Sequence, residues 1–242
     1  AMGKHSNKGY SHAFNKGSAM WAHCLVNNAT YYMYENYESY IPSDMRLWVL
    51  DNSGKGSAAM LGHNTASKQK VMAIMGASLG LGVAAVDQLI PALTALAPDI
   101  IVGAKGRNAY YLYECTCHEL SHSMHFKKVG KSYWNKYIDG IIELRNNSLY
   151  GTSDSDSKYS GYIGVGETWG FAMGYYMANQ RHGTKQDPPN KWFKPIQTKS
   201  LFDNKKITPL QFLNCMDVSV NNLQSLNAVL SSKFNAVPTN LY

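Results

Sequence analysis

With 242 residues, 45% of them hydrophobic and only 16% charged, the chain is long enough for a sizeable core and too apolar for a disordered segment. Its formal net charge of +7 is scattered, Lys127–Lys128 and Lys205–Lys206 being the only lysine doublets, whereas a nucleic-acid binder concentrates such charge on one face. Four cysteines, at 24, 115, 117 and 215, exclude a disulfide framework in a chain of this length.

Residues 1–17 read as a loosely held arm, with Ala1-Met2-Gly3 as a cloning scar. From Ser18 to about Glu38, Met20, Trp21, Cys24, Leu25, Tyr31, Tyr32 and Met33 predict an amphipathic helix capped by Ser18 and ended before Pro42. Met45 to Leu50 predicts a strand closed by the turn Asp51-Asn52-Ser53-Gly54, and Gly54 to Lys70 reads as a loop. The run Val71 to Val86 is nearly all apolar or small, but Asp87 and Pro91 interrupt it before a full membrane span of ~20 residues is reached. A helix over 89–96, stopped by Pro98, precedes a short buried strand, Asp99 to Gly103.

Asn108 to Lys128 predicts a helix stopped at Gly130. It carries His118-Glu119-Leu120-Ser121-His122. Histidines four apart on a helix share a face and are separated by roughly 6 Å along the axis, so both can reach one metal ion. Glu119 then sits at the rim of that face, able to touch a water activated by the metal without being a ligand. The pattern H-E-x-x-H reads as two Zn²⁺ ligands and a general base. His125 lies about 10 Å along the axis from His118, too far for the same ion, and is expected to be structural or substrate-facing. Cys115 and Cys117 point to different sides of this helix. Buried free thiols are expected, with one bridge to Cys24 or Cys215 as the alternative.

Helices are further expected over Tyr133 to Arg145, Gly166 to about Gln180, Pro209 to Met216 and Asn222 to Leu230. The stretch 146–160 reads as a solvated loop; Asp154 and Asp156 there lack the Gly and Glu positions of a calcium-binding EF-hand. A catalytic zinc takes three protein ligands, and only two glutamates follow the motif, Glu143 and Glu167. Glu167 is favoured, because glycines precede it and small residues at 170, 172 and 174 allow its helix to pack closely.

His118, Glu119 and His122 with a helical Glu far downstream resemble the zincin peptidases of the gluzincin type. The likeness covers about a quarter of the chain, 99–126 and 159–180. It implies an α+β, zincin-like fold: an upper lobe, about 18–128, with a small twisted mixed sheet and the motif helix, and a helical lower lobe, about 129–242. It also implies a zinc-dependent endopeptidase acting on peptide or protein substrates, with Zn²⁺ on His118, His122 and Glu167 and with Glu119 as general base. The strand before the motif helix is the one that pairs with extended substrate in such enzymes. The lethal-factor and Pro-Pro endopeptidase branch carries a Tyr shortly before the ligand Glu, which makes Tyr159 and Tyr162 candidates for stabilising the oxyanion; otherwise they are loop tyrosines. Phe171 stands where the thermolysin pattern has a supporting Asp.

Two rival readings remain. Gly76, Gly80 and Gly82 resemble the phosphate turn of short-chain dehydrogenases, but no Tyr has a Lys four residues later and no strand-helix series surrounds them. A non-catalytic binding module on a zincin frame has no chemical need for Glu119. A surface rich in Tyr, Asn, Ser and Gly leads to the expectation of an extracytoplasmic location.

Overall fold

The computed structural model describes residues 13–51, 58–59, 98–144 and 150–234. The apolar run 71–86, its glycines, the helix expected over 89–96 and the first twelve residues of the arm lie outside those residues. The described part is mainly helical with one small sheet.

Helix α1, Ala19–Tyr37, begins where Ser18 accepts a hydrogen bond from the Trp21 amide at 3.2 Å. Its buried residues Ala22, Val26, Ala29 and Met33 fall on one stripe of helical period. A 3₁₀ turn, Glu38–Tyr40, ends it, and Ile41 is extended, as the residue before Pro42 must be. Strands β1, Leu47–Leu50, and β3, Ile100–Gly103, are parallel, with Leu47 opposite Ile100 and Leu50 opposite Gly103. The two-residue strand β2, Ala58–Ala59, pairs antiparallel with the start of β3, so the stretch expected to be plain loop contributes a strand. The order is β1-β3-β2. Ile100, Ile101 and Val102 are buried, as the continuous apolar run of a central strand requires. Among the described residues β3 is therefore paired on both sides at Ile100 and Ile101, while Val102 and Gly103 pair with β1 alone.

Five residues after β3, the Asn108 side chain accepts from the Tyr111 amide at 2.8 Å and starts α2, Ala109–Leu144. This helix is broken at Gly130 (φ 75°, ψ 178°), the expected stop. Fifteen residues of straight helix would hold His122 and Tyr137 about 22 Å apart, yet their rings are 5.5 Å apart. The chain thus folds back at Gly130, laying the limb 131–144 against the limb 109–129. Every residue from Leu112 to His125 is buried. Small polar side chains there bond their own helix: Thr116 donates to the Leu112 carbonyl at 2.6 Å and Ser121 to that of Cys117 at 2.7 Å.

Helix α3, Ser160–His182, starts six residues before the expected Gly166 and ends at left-handed Gly183. The glycines before Glu167 lie within the helix and are close packing contacts. A Cβ on Gly164 would stand 2.8 Å from the Trp192 ring, and one on Gly166 2.8 Å from that of Tyr137. Helix α4, Pro195–Asp203, was not anticipated, whereas α5, Pro209–Cys215, and α6, Leu223–Lys233, lie where periodicity placed them. Trp169 of α3 stacks on Phe212 of α5 at 5.9 Å, tying the tail to the central helices. In the loop before α3, Asp156 accepts from the hydroxyls and amides of Thr152 and Ser153. No helix among the described residues is long and apolar enough to cross a membrane.

Gly130 combines positive φ with ψ near 180°, a region only glycine occupies at low cost, while the space around its absent side chain is open. Gly130→Ala and Gly130→Asn should therefore both lose about 1–3 kcal/mol in chemical denaturation, since asparagine's tolerance of left-handed helical backbone does not extend to this ψ.

Candidate metal centre

α2 presents His118 and His122 on one face, as their spacing dictates. What brings a third group to them is the closeness of α3. A Cβ on Gly170 would lie 2.8 Å from Cε1 of His122 and 2.9 Å from Nε2 of His118, and one on Gly174 would lie 2.8 Å from the Glu114 carbonyl and 3.1 Å from Cβ of His118. Gly166, Gly170 and Gly174, about one residue per turn, are the glycines at this contact, and Ala172 is fully buried. Trp169 fastens the two helices by donating its Nε1–H to the Ser121 carbonyl at 2.8 Å.

Glu167, one turn before Gly170, thereby reaches both rings. Its Oε2 lies 3.5 Å from Nε2 of His118 and its Oε1 3.5 Å from Nε2 of His122, while the two Nε2 atoms are 2.9 Å apart. All three residues are buried. Glu143, the other candidate, instead accepts a hydrogen bond from Ser157 at 2.6 Å. Glu167 does not open its helix, as expected from the sequence, but lies in its third turn.

The donors fit a divalent metal. Two nitrogens and one oxygen converge within 4.8 Å of one another. Ligands about 2.1 Å from one tetrahedral zinc stand roughly 3.4 Å apart, close to both His–Glu separations. Oε2 of Glu167 is buried and meets no hydrogen-bond donor among the described residues, an orphan that a cation would satisfy. Oε1 accepts from the Tyr137 hydroxyl. Tyr137 is in turn stacked on Trp134 at 4.4 Å. The Tyr137 hydrogen bond would orient the carboxylate were it to hold a metal. Phe171, in place of a supporting acid, sets its ring edge-on to His118 at 4.6 Å.

Charge at the site follows from burial. Desolvation alone would raise Glu167, but the imidazoles of His122 and His118 hold its carboxyl well below the usual range. At Glu119 the balance runs the other way. Burial pushes it up to about 8; His118 opposes this, and Glu167 and Glu114 add to it. Burial likewise lifts Glu114, one turn before His118, to about 7. The hydroxyls of Tyr137 and Tyr150 are raised by burial and then by Glu167.

Tyr159 precedes the first residue of α3, its ring 6.2 Å from that of Tyr162. Tyr162 lies within α3, where its hydroxyl accepts from Lys136 at 3.1 Å and its ring meets Tyr133 at 4.7 Å. Sequence reasoning missed Tyr137 and Tyr150. The signal for Tyr137 was its place on the limb after Gly130; Tyr150 sits on a loop and had none. His125 is wholly buried. All four cysteines are free, three of them buried.

No family model, no curated protein and no solved structure matches this chain. The metal-ligand geometry therefore rests on the residues themselves.

Tyr137→Phe removes the hydrogen bond to Glu167 and nothing else of the stack. Zinc affinity measured against a competing chelator should fall 10–100-fold, with the circular dichroism unchanged. His125 gives a separate signature. Burial, helped by His122 and Lys128, depresses it to about 3, so the folded protein holds it neutral while the unfolded chain protonates it near 6.5. Its contribution is present above that value and lost as pH falls towards 3. Between about pH 7.5 and about pH 5 the metal-free protein should lose about 2 kcal/mol more in urea unfolding than His125→Phe does.

Proposed function

We propose that this chain is a zinc-dependent peptidase of the gluzincin type that hydrolyses bonds within peptide or protein chains. The observation that carries the reading is the convergence of His118, His122 and Glu167 from two helices, with Glu119 buried beside them. The mainly helical architecture with one small mixed sheet is compatible with a zincin-like frame. In this reading His118, His122 and Glu167 hold Zn²⁺, which supplies a Lewis acid that polarises the scissile carbonyl and acidifies water.

Glu119 takes the proton of the attacking water and delivers it to the leaving amine. Its raised proton affinity suits the second step, and a cation nearby favours the carboxylate needed for the first. Glu167 stays ionised because both imidazoles face it, and Tyr137 fixes its orientation. The developing oxyanion requires a hydrogen-bond donor. Tyr159 and Tyr162 are the donors the resemblance offers, but their contacts are with Lys136, Tyr133 and each other. Tyr150, whose hydroxyl feels both Glu167 and Glu119 and whose ring edges Phe171 at 5.9 Å, takes that role here. An extended substrate adds at a free edge of the sheet.

Elemental analysis of the purified protein should find zinc, and an unstructured protein such as casein should be cleaved. Glu119→Gln should keep the zinc and lower the cleavage rate by about 10²–10⁴-fold, whereas His122→Ala should lose both. Zinc without turnover on a broad peptide library would sink the enzyme and leave a binding module.

A further inference from the structure

The motif helix carries a third histidine that the peptidase reading leaves unused. His125 is fully buried, and neither ring nitrogen meets a hydrogen-bond partner among the described residues. The same is true of Nδ1 of His122 and Nε1 of Trp134. These four atoms belong to one aromatic nest: the Trp134 ring is 5.7 Å from that of His122 and 5.9 Å from that of His125, which also meets Tyr133 at 5.1 Å. Buried polar atoms without partners are rare in folded proteins, and a group of them from three side chains in one nest points to a partner shared between those side chains.

The donor and acceptor roles are constrained. Nε2 of His122 faces His118 and Glu167, so when that nitrogen binds a metal the ring proton is on Nδ1, which becomes a donor. Trp134 Nε1–H can only donate. A neutral imidazole at 125 supplies one acceptor. Two donors and one acceptor in one nest are the complement of a single water, which accepts twice and donates back; the N–H on the other His125 nitrogen is outside this set.

We propose that His125 is a positioning residue for the ligand His122, joined to it by one buried water that accepts from His122 Nδ1–H and Trp134 Nε1–H and donates to the His125 ring. The link stands in for the carboxylate or carbonyl that commonly orients a metal-bound histidine. Residues three apart on a helix are neighbours, so the support is built into the same helix as the ligand. The inference rests on the reading of His118, His122 and Glu167 as metal ligands.

Zinc affinity by chelator competition tests it on the full chain. His125→Leu, which keeps the volume and removes the acceptor, should weaken zinc 10–100-fold without lowering the melting temperature of the metal-free protein at neutral pH. His125→Gln, which restores an acceptor, should return the affinity to within about threefold of the original. Imidazole ¹⁵N–¹H spectra of the zinc-loaded wild type should show a slowly exchanging His122 Nδ1 proton with a cross-peak to a long-lived water. An affinity of His125→Leu within twofold of wild type, a loss that glutamine does not repair, or a freely exchanging His122 proton overturns the proposal. Should the leucine variant not fold, the glutamine variant and the wild-type spectra decide the matter. A wild-type chain that takes up no zinc overturns the metal reading itself, and this inference with it.

Discussion

The structure depends on one close approach, that of α3 to the imidazole face of α2. Side chains larger than glycine at that contact would occupy the space the imidazoles fill: a Cβ on Gly170 would stand 2.8 Å from His122 and 2.9 Å from His118. Glycines at 166, 170 and 174 leave that space free, so that backbone of α3 lies directly on the rings of Tyr137, His118 and His122. The same glycines carry a cost in helix propensity of about 1 kcal/mol each. Packing offsets it: Trp169 reaches from α3 to the Ser121 carbonyl on one side and stacks on Phe212 on the other.

Bringing those helices together buries three carboxylates, Glu114, Glu119 and Glu167. Charged groups in a low-dielectric interior are costly unless compensated, and the three are compensated differently. Glu167 lies between two imidazoles and stays ionised, whereas Glu114 and Glu119 are pushed towards neutrality. A divalent cation on the two histidines and Glu167 would reverse that pressure at Glu119. Binding of a metal there would therefore be coupled to the stability of this part of the core.

The fold-back at Gly130 is the second device. It places Trp134 and Tyr137 against the histidines, so that the wall behind the ligands and the hydrogen bond to Glu167 both come from the continuation of the motif helix. A stop after Lys128 could be read from the glycine. The direction the chain takes next could not, because it depends on which surface the following limb can bury.

The sequence by itself determined what is local. Helical period puts His118 and His122 on one face with Glu119 beside them. The apolar run 100–102 makes a buried strand, Ser18 caps α1, and Gly130 stops the motif helix. These follow from backbone geometry repeating every few residues. Only the tertiary structure decided between Glu143 and Glu167, extended α3 back to Ser160, set β3 in the middle of its sheet and brought Tyr137 to the ligand carboxylate. Each of these depends on a contact between segments far apart in the chain, and such contacts are selected by shape and burial. Glycines before Glu167 signal close approach in the sequence; which aromatic ring lies against each is decided by the fold.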